Sequence, residues 1–485
     1  IIPGLFLNLS HVSKRSRNVY RKKPFLRNIF FVGYAFGFGF FLTGNHWIAY
    51  SLTFDENFKY LIPISLIFLP LFLGLFFGLS TLITGIFIKN NLISIFLFCS
   101  SLSFVDFLRS KILTGFPWNL WAYSWSWLPE VIQILNPIGL FAFNLIAITF
   151  FCIPLFLIFK KKKINFFIFF IFIILFFSNF IYGSTIINKN TEKYSKSIPS
   201  IKNVNMKIIS PNFDIKYDLS NDEIAQLLKK LIKFSEPESD KETIFVWPEG
   251  VFSGFYFSEL IEFKSLIKNS FSKNHTIIFG VNTSDKKSEK FYNSLIAINN
   301  DFEIIYQYNK RKLVPFGEFL PMENILKKIG LKKITEGFGS FSKGSNNENF
   351  LLGYINARPL ICYEIIFPQL IQKINNKTNM IINISEDGWF GELIGPKQHF
   401  AKAIFRAIES NTYLVRSANQ GISAFIDNKG NIIKSLNSNE IGSIELNVPL
   451  VNNNSKNRND LIFFILLITY TFIFLIFRKK LHDKK

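Results

Sequence analysis

Six stretches of this chain are long, apolar and nearly free of charge at their centres: 29–50, 60–88, 92–108, 134–159, 164–183 and 461–477. About 20 apolar residues in a helix cross the roughly 30 Å hydrocarbon layer of a bilayer. The pattern therefore predicts five spans, a large polar region and a sixth span. A helix buried in a water-soluble core rarely keeps an uncharged centre for that length. Residues 184–459 have a different rhythm. Short β-type runs at 204–209, 243–248, 275–281, 292–299, 359–363, 379–385, 412–419 and 421–427 are interleaved with helical patterns at 221–234, 257–270, 366–375 and 396–410. Strands alternating with helices, then a closing run of β, predict an α/β sandwich. Asn/Lys/Ser-rich pieces at 186–203, 284–290 and 343–349 read as linkers or loops, and 451–459 leads into the last span. The expected domains are 1–183, 184–459 and 460–485. The chain opens on Ile1 rather than Met, which reads as an incomplete N-terminus, and no cleavable signal pattern is visible in what is present.

Charge adds orientation. Lys and Arg total 55 against 34 Asp and Glu, a net +21. So basic a chain suits nucleic acid or an anionic membrane surface. The apolar blocks select the membrane, and no nucleic-acid module is recognisable. Lys14, Arg15, Arg17, Arg21, Lys22, Lys23 and Arg27 precede the first span, while the loop after it, "TFDENFK", is acidic. By the positive-inside rule the first side is cytoplasmic. "KKKK" at 160–163 and the tail "RKKLHDKK" fall on the same side, and only Arg109 and Lys111 run against the rule. Five spans then put 184–459 outside, which in a bacterium is the periplasm.

Cys362 is the only cysteine of that region, since Cys99 and Cys152 lie in spans. A thiol without a partner in an oxidising compartment is either a buried inert side chain or a reactive one. Glu249 closes "FVWPEG", Lys310 lies in "YNKRKLVPFGEFLP", and Cys362 ends "RPLICYE". Taken singly, Glu249 is a turn carboxylate and Lys310 a solvated charge. Together they stand at strand ends, where α/β sheets gather their active groups. A cysteine nucleophile needs a base and a positive group, which Glu249 and Lys310 can supply. The only histidines of the region are His275 and His399, so a Cys–His pair using His399 stays open. No metal or nucleotide is expected: the cysteine and histidine spacing makes no zinc site, and no GxxxxGK[ST] loop is present.

At Glu249, Lys310 and Cys362 the chain resembles the nitrilase superfamily, whose catalytic set is Glu, Lys and Cys in that order. The segments "WPEG", "YNKRKLVPFGEFLP", "ICYEIIFP", "DGWFG", "GPKQHFAKAIFRAIE" and "VRSANQGISAFID", with "GFGFFLTGNHWIAYSL" and "TGFPWNLWAYSW" in the membrane half, resemble the apolipoprotein N-acyltransferase family. The resemblance implies a polytopic helical membrane domain carrying a periplasmic nitrilase-like α-β-β-α sandwich, in the inner membrane and working as a monomer. It implies Glu249 as general base, Lys310 as thiolate and oxyanion stabiliser, and Cys362 as nucleophile. It also places Glu318, Tyr363, Glu364, Asn293 and Trp389 at or beside the site. Cys362 is expected to take an acyl chain from a membrane phospholipid as a thioester and pass it to the α-amine of a diacylglyceryl-apolipoprotein. No cofactor is implied. The alternative is a membrane-tethered amidase or nitrilase that uses water, and a transporter is disfavoured because the span centres lack ionisable groups.

Three features depart from the family. Its members usually start with two more helices. Glu386 stands where Asn is common, and Tyr217 is the nearest aromatic to a position where a Trp is frequent. All three are expected to lie off the Glu–Lys–Cys set.

Overall fold

In this computed structural model the described residues are 1–18, 23–89, 91–159, 163–195, 202–217, 219–285, 289–326, 328, 333, 340–345, 348–372, 377–451 and 460–482. The basic residues at 21–22 and 160–162, the last residues of the tail and most of the linker at 451–459 lie outside them, as do parts of the loops at 196–201, 286–288 and 346–347. The chain divides into two units, one of residues 1–49, 60–188 and 458–485, the other of residues 50–59 and 189–457.

The first unit is helical. Among the described residues five helices, lying wholly or mostly in this unit, are long and apolar enough to cross a membrane: Phe25–Thr53, Glu56–Gly85, Leu92–Arg109, Leu140–Ile158 and Lys163–Thr191, with the shorter Leu461–Phe477 at the end. The stretch 134–159 is not one continuous helix. Gly139, at φ +81°, ends the short helix Leu135–Ile138, and Pro154 interrupts the ladder after Leu140–Cys152. The helix Ile2–Asn18 has no counterpart in the hydropathy pattern, because it is mildly polar overall yet buries Ile2, Leu5, Phe6 and Leu9. Glycines set the closest approach in this unit. A Cβ on Gly37 would lie 2.8 Å from the Phe77 Cβ and 3.0 Å from the Gly74 Cα, the small-residue contact by which apolar helices pack without a hydrophobic driving force.

Both residues that break the charge rule are paired with a carboxylate. The buried Arg109 guanidinium donates to Asp106 at 3.0 Å, and Asn144 donates to the other Asp106 oxygen at 3.0 Å. Lys111 lies 3.5 Å from Asp460.

The second unit is two six-stranded sheets, face to face. The first has the order β12-β1-β2-β3-β4-β5, with β1 Asn203–Ser210, β2 Thr243–Val246, β3 His275–Asp285, β4 Lys290–Ile298, β5 Ile304–Asn309 and β12 Gly442–Pro449. The second has the order β11-β10-β9-β8-β7-β6, with β6 Phe350–Leu352, β7 Ile355–Ile361, β8 Met380–Glu386, β9 Tyr413–Asn419, β10 Ser423–Ile426 and β11 Ile432–Leu436. In each sheet three central strands run parallel: β1, β2 and β3 in one, β7, β8 and β9 in the other. Side chains alternate across a strand, so one face of each sheet fills the middle layer with Met206, Ile208, Val246, Ile361, Ile382 and Val415. The opposite face of the first sheet packs Phe245, Trp247 and Phe279 against Ile224, Leu228 and Leu231 of the helix Asn221–Ser235. That helix begins with a capping box in which Ser220 and Glu223 satisfy each other's backbone. On the second sheet the helix Gly395–Ser410 buries nearly its whole length. The helical patterns at 257–270 and 366–375 start later than predicted, with helix from Leu260 and from Gln369; Pro368 delays the second, and residues 373–376 lie outside the described residues.

Candidate active site

The carboxyl ends of β2, β5, β7 and β8 converge on one buried cluster. Glu249 follows β2, Lys310 follows β5, Cys362 follows β7 and Glu386 ends β8. Each is at least nine-tenths buried.

Lys310 lies between two carboxylates. Its Nζ donates to Glu249 Oε1 at 3.2 Å and to Glu318 Oε1 at 2.8 Å. The Asn293 amide donates to the same two oxygens, at 2.7 Å each. Glu318 is fixed in turn by the Val314 N–H at 2.8 Å, and the Lys310 backbone N–H is fixed by the Asn293 carbonyl, also at 2.8 Å. Burial alone would lower the lysine's pKa, but the carboxylates of Glu249 and Glu318 outweigh it and hold the ammonium above its ordinary value.

Cys362 sits in a strained turn. Its φ is +46°, a left-handed conformation that costs an L-residue about 1–2 kcal/mol. Glu364 ties this turn to the strand and to the Lys310 loop. Its carboxylate accepts from the Ile361 N–H at 2.9 Å, the Arg311 N–H at 2.7 Å and the Tyr308 hydroxyl at 3.0 Å. Burial raises the Glu364 pKa, with the N–H donors of Ile361 and Arg311 opposing it. The Cys362 thiol is pushed well up from the ordinary thiol range by burial first and by Glu249 second, while Lys310 pulls it back. The Cys362 side chain thus has a carboxyl group and an amino group as its charged neighbours.

Glu386 corrects an expectation. It is not remote from the Glu–Lys–Cys set: its backbone N–H donates to Glu249 Oε2 at 3.1 Å, and its carbonyl faces the Cys362 Sγ at 3.9 Å. Its own carboxyl takes Asn419 at 2.7 Å and the Gly388 N–H at 2.9 Å. Gly250, at φ +77°, makes room, since a Cβ there would stand 2.6 Å from Glu386 Oε2. Burial pushes the Glu386 pKa far above a normal carboxyl despite those donors, and Glu249 and Asp387 add to the rise.

Of the remaining candidates, Tyr363 is buried with its ring edge-on to Phe367 at 5.0 Å. Trp389 is half-buried and packs on Phe54 at 4.9 Å and Tyr217 at 6.4 Å. Tyr217 therefore meets the "DGWFG" loop. His399 does not face the thiol; its Nε2 is 3.2 Å from the Cys362 carbonyl. Sequence reasoning missed Tyr308, Asp387, Arg416 and Asn419. Their signal was available in "QYNK", "SEDG" and "VRSANQG", polar residues inside otherwise apolar strand ends.

A buried thiol, a carboxylate and a lysine ammonium can form a thiolate and stabilise the oxyanion of an acyl transfer. Among the described residues no group of His, Cys, Asp and Glu is arranged to hold a metal ion.

Residues 209–452 match the carbon-nitrogen hydrolase family, which places the two-sheet unit in that class. Residues 18–153 match the apolipoprotein N-acyltransferase N-terminal domain. An apolipoprotein N-acyltransferase of Allorhizobium ampelinum is 31% identical over 428 residues, 86% of this chain and 79% of the relative. That of Rickettsia prowazekii is 30% identical over 456 residues, 92% of this chain and 88% of the relative. Among solved structures, the Saccharomyces cerevisiae nitrilase-superfamily protein Nit3 is 16% identical and aligns over 52% of this chain and 92% of its own, with a TM-score of 0.37. The chain belongs to the apolipoprotein N-acyltransferase family. With five helices among the described residues long and apolar enough to span a bilayer, it is a bacterial membrane acyltransferase.

Proposed function

We propose that Cys362 carries an acyl chain, as a thioester, from a phospholipid to the N-terminal amine of a diacylglyceryl-apolipoprotein. Glu249 takes the thiol proton, and the thiolate attacks the donor's ester carbonyl. A C–S bond forms, the C–O bond breaks, and the leaving alkoxide takes the proton back from Glu249 as lysophospholipid departs. In the second half the amine attacks the thioester, Glu249 removes an N–H proton, the C–S bond breaks and the thiolate is regenerated. Lys310 steadies the thiolate and both oxyanions. Glu318, Asn293 and the Glu386 N–H hold Lys310 and Glu249 in place, and Glu364 holds the nucleophile's turn. Tyr363 and Trp389 lie along the path of the substrates. The observation that carries this reading is Lys310 bonded at once to Glu249 and Glu318 beside the Cys362 turn.

Residues 184–459 are the catalytic domain and work on the periplasmic side of the inner membrane. The basic flanks support that orientation. Both substrates are lipids, so a domain joined at each end to spans suits them.

The test supplies the purified protein with phospholipid labelled in its acyl chains and a diacylglyceryl-cysteine peptide. Label on the peptide amine supports the reading. Label released only as free fatty acid, with the peptide unmodified, shows water as the acceptor and overturns it in favour of a tethered hydrolase.

A further inference from the structure

The turn at Cys362 is held from two sides, and only one of them has been accounted for. Glu364 secures the residue before it through the Ile361 N–H. On the other side the Cys362 carbonyl meets His399 Nε2 at 3.2 Å. A carbonyl only accepts, so this contact is a hydrogen bond when Nε2 carries the ring hydrogen, and Nε2 then has no lone pair for the thiol. The other ring nitrogen points elsewhere: Nδ1 is 2.9 Å from Asp387 Oδ1 and 3.1 Å from Arg416 Nη2.

The supports of the imidazole are themselves fixed. Asp387 takes the Arg416 guanidinium at 2.8 Å and the Ser385 hydroxyl at 2.6 Å. Arg416 reaches back to Asn383 on β8, and the Phe390 ring stands edge-on to the imidazole at 5.2 Å. His399, Asp387 and Arg416 are fully buried. Burying an ion pair is costly unless its geometry is over-determined, and a left-handed Cys persists only where its surroundings impose it. The second cost explains the first.

We propose that His399, oriented by Asp387 and Arg416, is a positioning residue that locks the left-handed Cys362 backbone through the carbonyl and so fixes the thiol beside Lys310. The proposal rests on Cys362 being the nucleophile. It assigns the Cys, His and Asp of this site a different division of labour from a Cys–His pair, because the histidine acts on the nucleophile's backbone and not on its proton.

Two substitutions separate these roles. His399→Gln places an amide N–H where Nε2 stands, and His399→Asn is too short to reach the carbonyl. The full-length protein in detergent with phospholipid is assayed for the rate of thioester formation, its dependence on donor concentration, and the rate of Cys362 alkylation by iodoacetamide against pH. His399→Asn should lose on the order of 10²-fold in thioester rate, the scale of a misplaced reacting group, with half-saturation by donor and the pH midpoint of alkylation unchanged. His399→Gln should recover most of the loss. A folded His399→Gln as impaired as His399→Asn, with an altered pH midpoint, would make the histidine a base and overturn the proposal. Wild-type rates in both variants would overturn it as well. If His399→Asn does not fold, His399→Ala, which also lacks the donor, takes its place on the same outcomes. Cys362→Ala is run alongside: acyl transfer retained there removes the nucleophile itself, a result distinct from any failure confined to His399.

Discussion

Lys310 and Glu318 form an ion pair 2.8 Å long, with side chains only 1% and 7% exposed. The pair lets Glu249 change charge. When Glu249 accepts the thiol proton it ceases to balance Lys310, and Glu318 remains as the anionic partner. Without it, a buried ammonium would be left uncompensated in the middle of the reaction.

Glu318→Gln should therefore cost both stability and rate. Breaking a buried pair typically costs roughly 3–5 kcal/mol, and here Glu249 pairs with the same lysine, so the loss should fall at the low end. The thioester rate should drop more, because Glu249 becomes the sole counter-charge and resists protonation. Thermal unfolding and single-turnover acylation measured on the same preparation check this. A variant with lowered melting temperature and normal acylation would show that Glu318 only holds the loop.

Glu249→Gln and Lys310→Arg should differ in their response to pH. The first lacks a base, and the thiol it leaves has a pKa held up by burial, so high pH should partly restore thioester yield by supplying thiolate. Lys310→Arg keeps the charge but spreads it over a planar fork that fits a compact oxyanion poorly, and pH cannot repair that. An oxyanion donor is worth on the order of 10²–10³ in rate. Recovery of Lys310→Arg at high pH, with none in Glu249→Gln, would mean the two roles are exchanged.

The Asp387 carboxyl predicts acid behaviour. Burial raises its pKa, but Arg416 and His399 more than reverse this and hold it well below the ordinary carboxylate range. A depressed folded-state pKa contributes stability that is present above the unfolded value, about 3.9, and lost as pH falls through the folded one. Asp387→Asn should be less stable than the parent at neutral pH, and the gap should narrow as the pH falls below about 4. Urea unfolding at a series of pH values tests the sign; a gap that widens toward acid contradicts it.

Orientation has a direct test. A reporter active only outside the cytoplasm should be active when fused near residue 200 and inactive when fused just after Lys163. The reverse pattern would invert the topology and remove the oxidising-compartment argument for Cys362.

The eight strands legible in the sequence are the interior strands of the two sheets, and the four missed ones, β5, β6, β11 and β12, are the four edges. The reason is physical. Interior strands bury both faces and read as apolar runs, such as "TIFV" in β2, whereas β11, "IIKSL", buries a single residue. The spans were legible for the same reason, except where Gly139 and Pro154 break one of them. At the site, Glu249 and Cys362 could be found because each ends a recognisable strand, whereas Lys310 follows the missed edge strand β5 and was found through the segment "YNKRKLVPFGEFLP". Asp387 and Arg416 stand out only as polar residues in apolar strand ends, and their contacts with His399 could not be read, because these depend on which strand ends lie side by side. Glu386 was visible only as a departure from Asn, and its backbone contact with Glu249 belongs to no residue type.

The central claim is a thioester on Cys362. Intact-mass measurement of the full-length protein after incubation with a single phospholipid species should show one added acyl chain. Hydroxylamine should remove the adduct, and it should map to Cys362 on digestion. It should appear equally in Cys99→Ala and Cys152→Ala, be absent from Cys362→Ser, and disappear when the diacylglyceryl-cysteine peptide is added. Acylated peptide formed by a protein that never carries the adduct, or formed by Cys362→Ala, would contradict the account.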